Sequence, residues 1–345
     1  MRTPTANRRR RLIAIVASGM VVAVAYAFVL PRIAGYTSVW VVIRRLTWPW
    51  VLGLCVATVV NILTFAPPWM VALPGLGFVK ALSMTQASTA FSSIAPGGAP
   101  VGMVASFTIL RSWGLGGRQA GLAVALTGIW NQLSVFAFPV IAVGLLAAKG
   151  IGFGSLALLA LVGVALFVAI TAGIAALLAR PRLVFRAGEL VAKGVSWLSR
   201  LRGTQPPTWG GDALVGFRTE MLELLRHRWL ALTATTLANQ FTGYLLLELS
   251  LRAVSISLSE VSLVASFAAW SVGRLLLSLP LTPGGIGVVE LGLVGTLVGF
   301  GGPNAKVVAG VLVFRALSVV PTLLLGLLAA ATWKLQRPAA NPSRS

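Results

Sequence analysis

The chain of 345 residues is 57% hydrophobic and 10% charged, with 28 Lys and Arg against 7 Asp and Glu and a formal net charge of +21. Such apolar content excludes a soluble domain of this size, and 1 cysteine and 1 histidine exclude both a disulfide framework and a Cys-based metal site. The basic residues stand in short connections between apolar runs rather than in aromatic-studded patches, so membrane topology explains the charge and no nucleic-acid partner is expected.

A membrane span needs about twenty apolar residues. The first run, Leu12 to Leu30, follows Arg8 to Arg11 and is stopped by Pro31; it is nearly bilayer-length with no small-residue cleavage site after it, so an uncleaved anchor is expected rather than a signal peptide. A second run covers Trp48 to Leu73 and contains Cys55, a small lipid- or core-facing residue. A third block, Phe78 to Leu110, is split by APGGAP. Uncharged runs follow over Gln119 to Ala148 and Ile151 to Ala179, then a basic connection from Arg180 to Arg228. After it come Trp229 to Leu251, a second split block from Leu258 to Phe300, and a run from Val307 to Trp333. The polar tail begins at Lys334. Within the basic connection, Arg182 to Leu201 alternates apolar residues with Arg186, Lys193 and Arg200 at helical spacing, a pattern suited to an anionic leaflet. A second short helix is expected over Leu214 to Arg228, with Glu220 and Glu223 in solvated pairing to nearby arginines.

Orientation follows from the basic residues. With a cytoplasmic N-terminus and each split block returning to the side it entered from, most Lys and Arg of the connections fall inside, including the whole Arg180 to Arg228 cluster. The arms of the first block, Phe78 to Ala95 and Ala99 to Leu110, reach about 27 and 18 Å at 1.5 Å per helical residue, against roughly 30 Å of hydrocarbon. The second arm is therefore too short to cross. In the second block the arm Leu258 to Leu279 is longer, and the hairpin reading is weaker there.

The expected fold is an all-α polytopic membrane protein with about six full spans and two re-entrant broken helix hairpins, arranged as an inverted repeat. Its segments are a basic cytoplasmic N-terminus (1–11), a first repeat (12–148), a second repeat (149–333) containing the connection 180–228, and a cytoplasmic tail (334–345). Local sequence repeats too: Pro96, Gly97 and Gly98 match Pro283, Gly284 and Gly285, and the pair Asn131, Gln132 has a counterpart in Asn239, Gln240. Ser93 stands at the end of the first inbound arm.

The second break, SLPLTPGGIGVVELGL from Ser278, reads physically. Pro280 and Pro283 lack the amide hydrogen a continuing helix needs. Thr282 is expected to cap the next helix with Pro283 at its first position, and Gly284, Gly285 and Gly287 leave backbone amides unshielded. A helix N-terminus inside a membrane needs an anionic or polar partner, and a phosphate headgroup is one. Arg274, Glu290 and Arg315 lie in apolar runs, where ionisable groups are functional suspects. Two readings stay open. Glu290 neutralises one arginine and locks two helices together, or one arginine pairs with Glu290 while the other stays free for an anionic headgroup. Glu248 is expected to be interfacial.

LPLTPGGIGVVELGL, together with SSIAPGGAPVGMVASFTILRSWG and GLAVALTGIWNQL in the first half, resembles the lysylphosphatidylglycerol synthase transmembrane family, the flippase-like domain of multiple peptide resistance factors. The most specific element is PGGIGxxE, carried by Pro283 to Gly287 and Glu290. The first-half motif departs from the family pattern, with Gly98, Ala99 and Pro100 where an acidic residue and an arginine often stand. The resemblance implies translocation of a lipid, anionic or polyprenyl, between the leaflets of the plasma membrane, while the distribution of basic residues is what places both termini on the cytoplasmic side. The alternative is a non-catalytic scaffold working with an envelope-biosynthesis enzyme.

An enzyme is not expected. His227 sits in the basic RHRW, Asp212 is the only aspartate, and no Asp-x-Asp pair, Ser/His/Asp set or phosphate loop leading into a lysine is present. GLGGRQAG, from Gly114 to Gly121, reads as a tight connection. The aminoacyl-transfer domain of two-part family members is not expected, nor is any metal or cofactor; the lipid's identity and the oligomeric state are open.

Overall fold

The computed structural model describes residues 36–95, 98–150, 180–202, 210–279 and 281–332, with scattered positions between 163 and 179. The runs expected over Leu12 to Leu30 and, for the most part, Ile151 to Ala179 lie outside the described residues, as do Pro96, Gly97 and Pro280. Every regular element among the described residues is helical.

The run from Trp48 contains a bend. Helix α1 (Tyr36–Arg44) is followed by α2 (Trp48–Leu63), which carries Pro49 in its first turn, and a restart at Pro67 and Pro68 opens α3 (Pro67–Ala72). Proline at a first turn forfeits no intrahelical hydrogen bond, which is why the chain resumes a helix there. Helix α4 (Phe78–Ile94) ends where Ala95 turns extended, and α5 (Ala99–Ser112) begins after Gly98, whose φ of 56° a side chain would resist. Gly114, at φ 87°, makes the tight connection into α6 (Gly117–Ala148).

The second half opens with α7 (Pro181–Arg202), the expected amphipathic helix. The short helix and separate span expected after it are instead one element, α8 (Gly211–Ala253), 43 residues long. No glycine or proline stands between Phe217 and Thr242, so nothing stops the first helix from running into the second. A turn follows, then α9 (Leu263–Ser278), a 3₁₀ turn (Pro283–Gly285), α10 (Val288–Gly299) and α11 (Asn304–Thr332). Ser262 caps α9 by accepting from the Ala265 amide, so this arm starts later than the apolar run does.

Among the described residues three helical stretches are long and apolar enough to cross a membrane: Trp48–Ala72, Gly117–Ala148 and Asn304–Thr332. The segment Trp229 to Leu251, expected as a span, is interrupted by Asn239, Gln240 and Glu248 and is not among them. At 1.5 Å per residue the arms α4, α5, α9 and α10 measure about 26, 21, 24 and 18 Å, all shorter than roughly 30 Å of hydrocarbon. The second block thus has a short first arm as well.

Packing interleaves the two halves in a reciprocal pattern. Helix α4 packs against α11, and α9 packs against α6, so each inbound arm meets the long helix that follows the other half's break. The same exchange relates α10·α11 to α5·α6 and α8·α9 to α3·α4. One apolar core joins α8, α9, α10 and α11 with Phe138 of α6, and another joins α3 to α6 with the start of α8 and Ala329 of α11. Gly326 permits the α4–α11 crossing, since a Cβ there would overlap Ala90 and the Gln86 carbonyl.

Candidate functional site

The second break touches the end of the helix that leads into the first. A Cβ built on Gly284 would stand 3.3 Å from the carbonyl oxygen of Ser93, so the second-half turn lies directly on the end of the first-half arm. Gly284, Gly285 and Gly287 have φ of 61°, 66° and 86°, a left-handed path that ends the 3₁₀ turn and delays the next helix to Val288. Thr282 therefore does not cap α10. Its hydroxyl donates to the Ile286 carbonyl at 3.0 Å, which ties the turn to itself.

The cap of α10 is Glu290, whose Oε2 accepts from the Gly287 amide at 2.7 Å. The Gly285 and Ile286 amides donate to the carbonyls of Thr282 and Pro283. The expectation of open amides after Pro283 is thus corrected: the chain supplies its own carboxylate and carbonyls to them. Oε1 of the same carboxylate accepts from Arg315 Nε at 2.7 Å, and an Arg315 terminal nitrogen donates to the Gly284 carbonyl at 2.9 Å. Both side chains are buried, at 9% and 2% exposure, so this pair knits α11 to the break with little solvent screening.

Arg274 is placed differently. Among the described residues no carboxylate lies within ion-pair reach of it; a terminal nitrogen donates at 3.4 Å to Asn131 Oδ1, and its Nε is sealed from solvent with no hydrogen-bond partner. Asn131 Oδ1 also accepts from Gln240 Nε2 at 2.9 Å, so the first-half amide meets the second-half amide beside the guanidinium. Asn239 donates to Thr64 at 3.1 Å, while Asn61 donates to Thr242 at 3.0 Å, joining α2 to α8. Gln132 lies on neither cavity wall.

These groups surround a cavity of about 180 Å³, walled by Ser93, Asn239, Gln240, Arg274, Gly284 and Arg315, with Trp270 and Phe314 on its apolar side. A neighbouring cavity of about 220 Å³ lies among α4, α5, α6 and α8 and shares Phe65, Thr89 and Asn239 with the first. The arrangement can hold an anion at Arg274 and hydrogen-bond a neutral polar group beyond it. Sequence reasoning missed Asn61, Thr89 and Thr236 as wall residues. For Thr89 the signal was the hydroxyl-rich stretch SMTQASTAFSS inside an apolar block.

Glu248 is not an isolated interfacial residue. It is buried, accepts from Arg252 Nε at 2.7 Å and from the Ser266 hydroxyl at 2.6 Å, and Arg252 also donates to the carbonyls of Ile256 and Val261. This closed network shapes the turn between α8 and α9. Glu220 pairs across to Arg118 of α6 at 2.8 Å, an exposed contact of little energetic weight. No group of three or more His, Cys, Asp or Glu side chains suited to a metal occurs among the described residues.

Comparison with curated proteins gives no match. The profile described as "Lysylphosphatidylglycerol synthase TM region" matches residues 11–326, nearly the whole chain and both breaks. With three apolar helices of spanning length among the described residues and this match, the chain is an integral membrane protein, and it belongs to the lysylphosphatidylglycerol synthase TM region family.

Proposed function

We propose that this protein moves an anionic lipid between leaflets, holding the phosphate of the headgroup at Arg274 where the two broken helices meet. The observation that carries the reading is the Arg274 guanidinium. It lines a cavity between the halves with no carboxylate among the described residues to neutralise it, while Arg315 is committed to Glu290. An uncompensated cation is costly in an apolar setting and acquires its partner when an anion arrives. The exchange-related packing of α4 on α11 and α9 on α6 supports an inverted repeat with two re-entrant hairpins, the arrangement in which broken helices form a midplane site. In this reading the chain is multi-pass in the plasma membrane with both termini and the 180–228 region cytoplasmic, and Glu290 orients Arg315 rather than meeting substrate.

The test is reconstitution of the full chain into phosphatidylcholine vesicles with fluorescent phosphatidylglycerol and a leaflet-resolved quenching assay. Wild type is expected to equilibrate the probe, and Arg274→Gln to slow it about tenfold or more, the loss of one charge-assisted contact. Probe movement unchanged in well-folded Arg274→Gln refutes the site. No movement by wild type favours a scaffold that serves an envelope-biosynthesis enzyme. Single cysteines at Gly150 and Ser199, in a background lacking the exposed Cys55, are expected to label from opposite sides; labelling from one side sinks the topology.

A further inference from the structure

The second cavity extends the proposed headgroup site, and it differs from the first in chemistry. Its polar wall is neutral: hydroxyls of Thr85, Ser88, Ser92, Ser106 and Thr127 with the amides of Asn131 and Asn239. Several of these hydroxyls spend their hydrogen on their own helix. Ser88 donates to the Thr85 carbonyl, Ser92 to Thr89 and Thr127 to Ala123, which leaves oxygen lone pairs as acceptors. Thr236, buried on the same wall, has a hydroxyl with no hydrogen-bond partner among the described residues. Such a wall lacks donors from a ligand.

Among the described residues no acidic side chain lines either cavity, and the charged groups on their walls are Arg274 and Arg315. Glu290, the nearest carboxylate, is occupied by Arg315 and the Gly287 amide. An ammonium group entering here meets acceptors but no compensating negative charge, next to the Arg274 guanidinium, since the charge of Arg315 is already balanced by Glu290. A hydroxylated neutral group meets the same acceptors without that repulsion. At about 30 Å³ per water, each cavity has room for roughly six or seven waters, the scale of a headgroup and not of acyl chains.

From this we infer that the paired cavities select a phosphate ester of an uncharged, polyhydroxylated alcohol, with the anionic phosphate at Arg274 and hydroxyls in the Thr236 recess, and disfavour an aminoacylated headgroup that carries an ammonium. This rests on the headgroup site proposed above, and it separates this chain from the lysylated lipid in its family's title.

The experiment is native mass spectrometry of the purified full chain with equimolar phosphatidylglycerol, phosphatidic acid and lysylphosphatidylglycerol, with soluble glycerol 3-phosphate as a separate competitor. Phosphatidylglycerol is expected to be retained about tenfold over the lysyl ester and about fivefold over phosphatidic acid, each factor of ten being about 1.4 kcal/mol. Thr236→Val should collapse the preference over phosphatidic acid while Thr236→Ser keeps it; a valine variant that loses all three lipids is misfolded, and the serine variant then decides, its loss of the preference in well-folded protein overturning the assignment of Thr236. Equal or stronger retention of the lysyl ester overturns the charge selection, as does a phosphatidylglycerol preference indifferent to Thr236→Val for the hydroxyl recess. Displacement by glycerol 3-phosphate supports recognition of the polar group alone, and lack of displacement supports recognition of the lipid-borne ester. Preserved preferences without vesicle transport refute the flippase reading and leave the selectivity standing.

Discussion

Removing Arg315 tests whether the Glu290 pair is structural. Arg315→Met leaves the Glu290 carboxylate, 2% exposed, with its Oε1 stripped of the guanidinium at 2.7 Å, and leaves the Gly284 carbonyl without its donor. Stranding one partner of a buried pair costs about 3–5 kcal/mol. Glu290→Gln keeps an acceptor for the Gly287 amide but strands the arginine, for about 3 kcal/mol. The double variant removes both charges and should return to within about 1–2 kcal/mol of wild type, the remainder being the lost hydrogen bond to Gly284. Unfolding in mixed micelles titrated with dodecyl sulfate, followed by far-UV circular dichroism, supplies the cycle. Coupling of at least about 2 kcal/mol is expected, and an additive cycle within about 0.5 kcal/mol would refute the reasoning.

Arg274→Gln, with no carboxylate partner among the described residues to strand, should change stability in the same assay by less than about 1 kcal/mol. Gly326→Ala should cost about 1–3 kcal/mol because its Cβ would overlap Ala90 across the α4–α11 crossing, whereas Gly53→Ala, with open space around it, should be neutral or stabilising by about 0.5–1 kcal/mol. Glu248→Gln should cost about 1–3 kcal/mol by leaving Arg252 with carbonyl acceptors alone, and it should accelerate amide hydrogen exchange in the turn 254–262 rather than at the break.

Proline and glycine made the breaks legible, because a missing amide hydrogen and a positive φ act locally and leave their mark in the chain itself. The pairing of arginines was not legible. Arg274 and Arg315 each sit in a uniformly apolar helix, and which one faces Glu290 depends on helix rotation, which sequence fixes only when one face is polar. For the same reason the amide pairs were recognisable, but not that Asn131 would reach Gln240 while Gln132 turned elsewhere. Thr282 misled because threonine before proline is a common helix start, and the three left-handed glycines after it displaced the start to Val288. Glu248 misled because its partner Ser266 is brought near only by the turn joining α8 and α9.

The reciprocal packing of the two arms has a consequence for biogenesis. Helix α4, with its row of hydroxyls and the buried Gln86 amide, which has no hydrogen-bond partner among the described residues, packs most extensively on α11, which is synthesised much later. At roughly 5–20 residues per second, α4 waits on the order of ten seconds or more with the face that will receive Gly326 uncovered. During that interval the translocon or an insertase must shelter it. A ribosome stalled before Asn304 should therefore hold a nascent chain whose α4 still crosslinks to the insertion machinery, although all of the first-half helices described here have already been made.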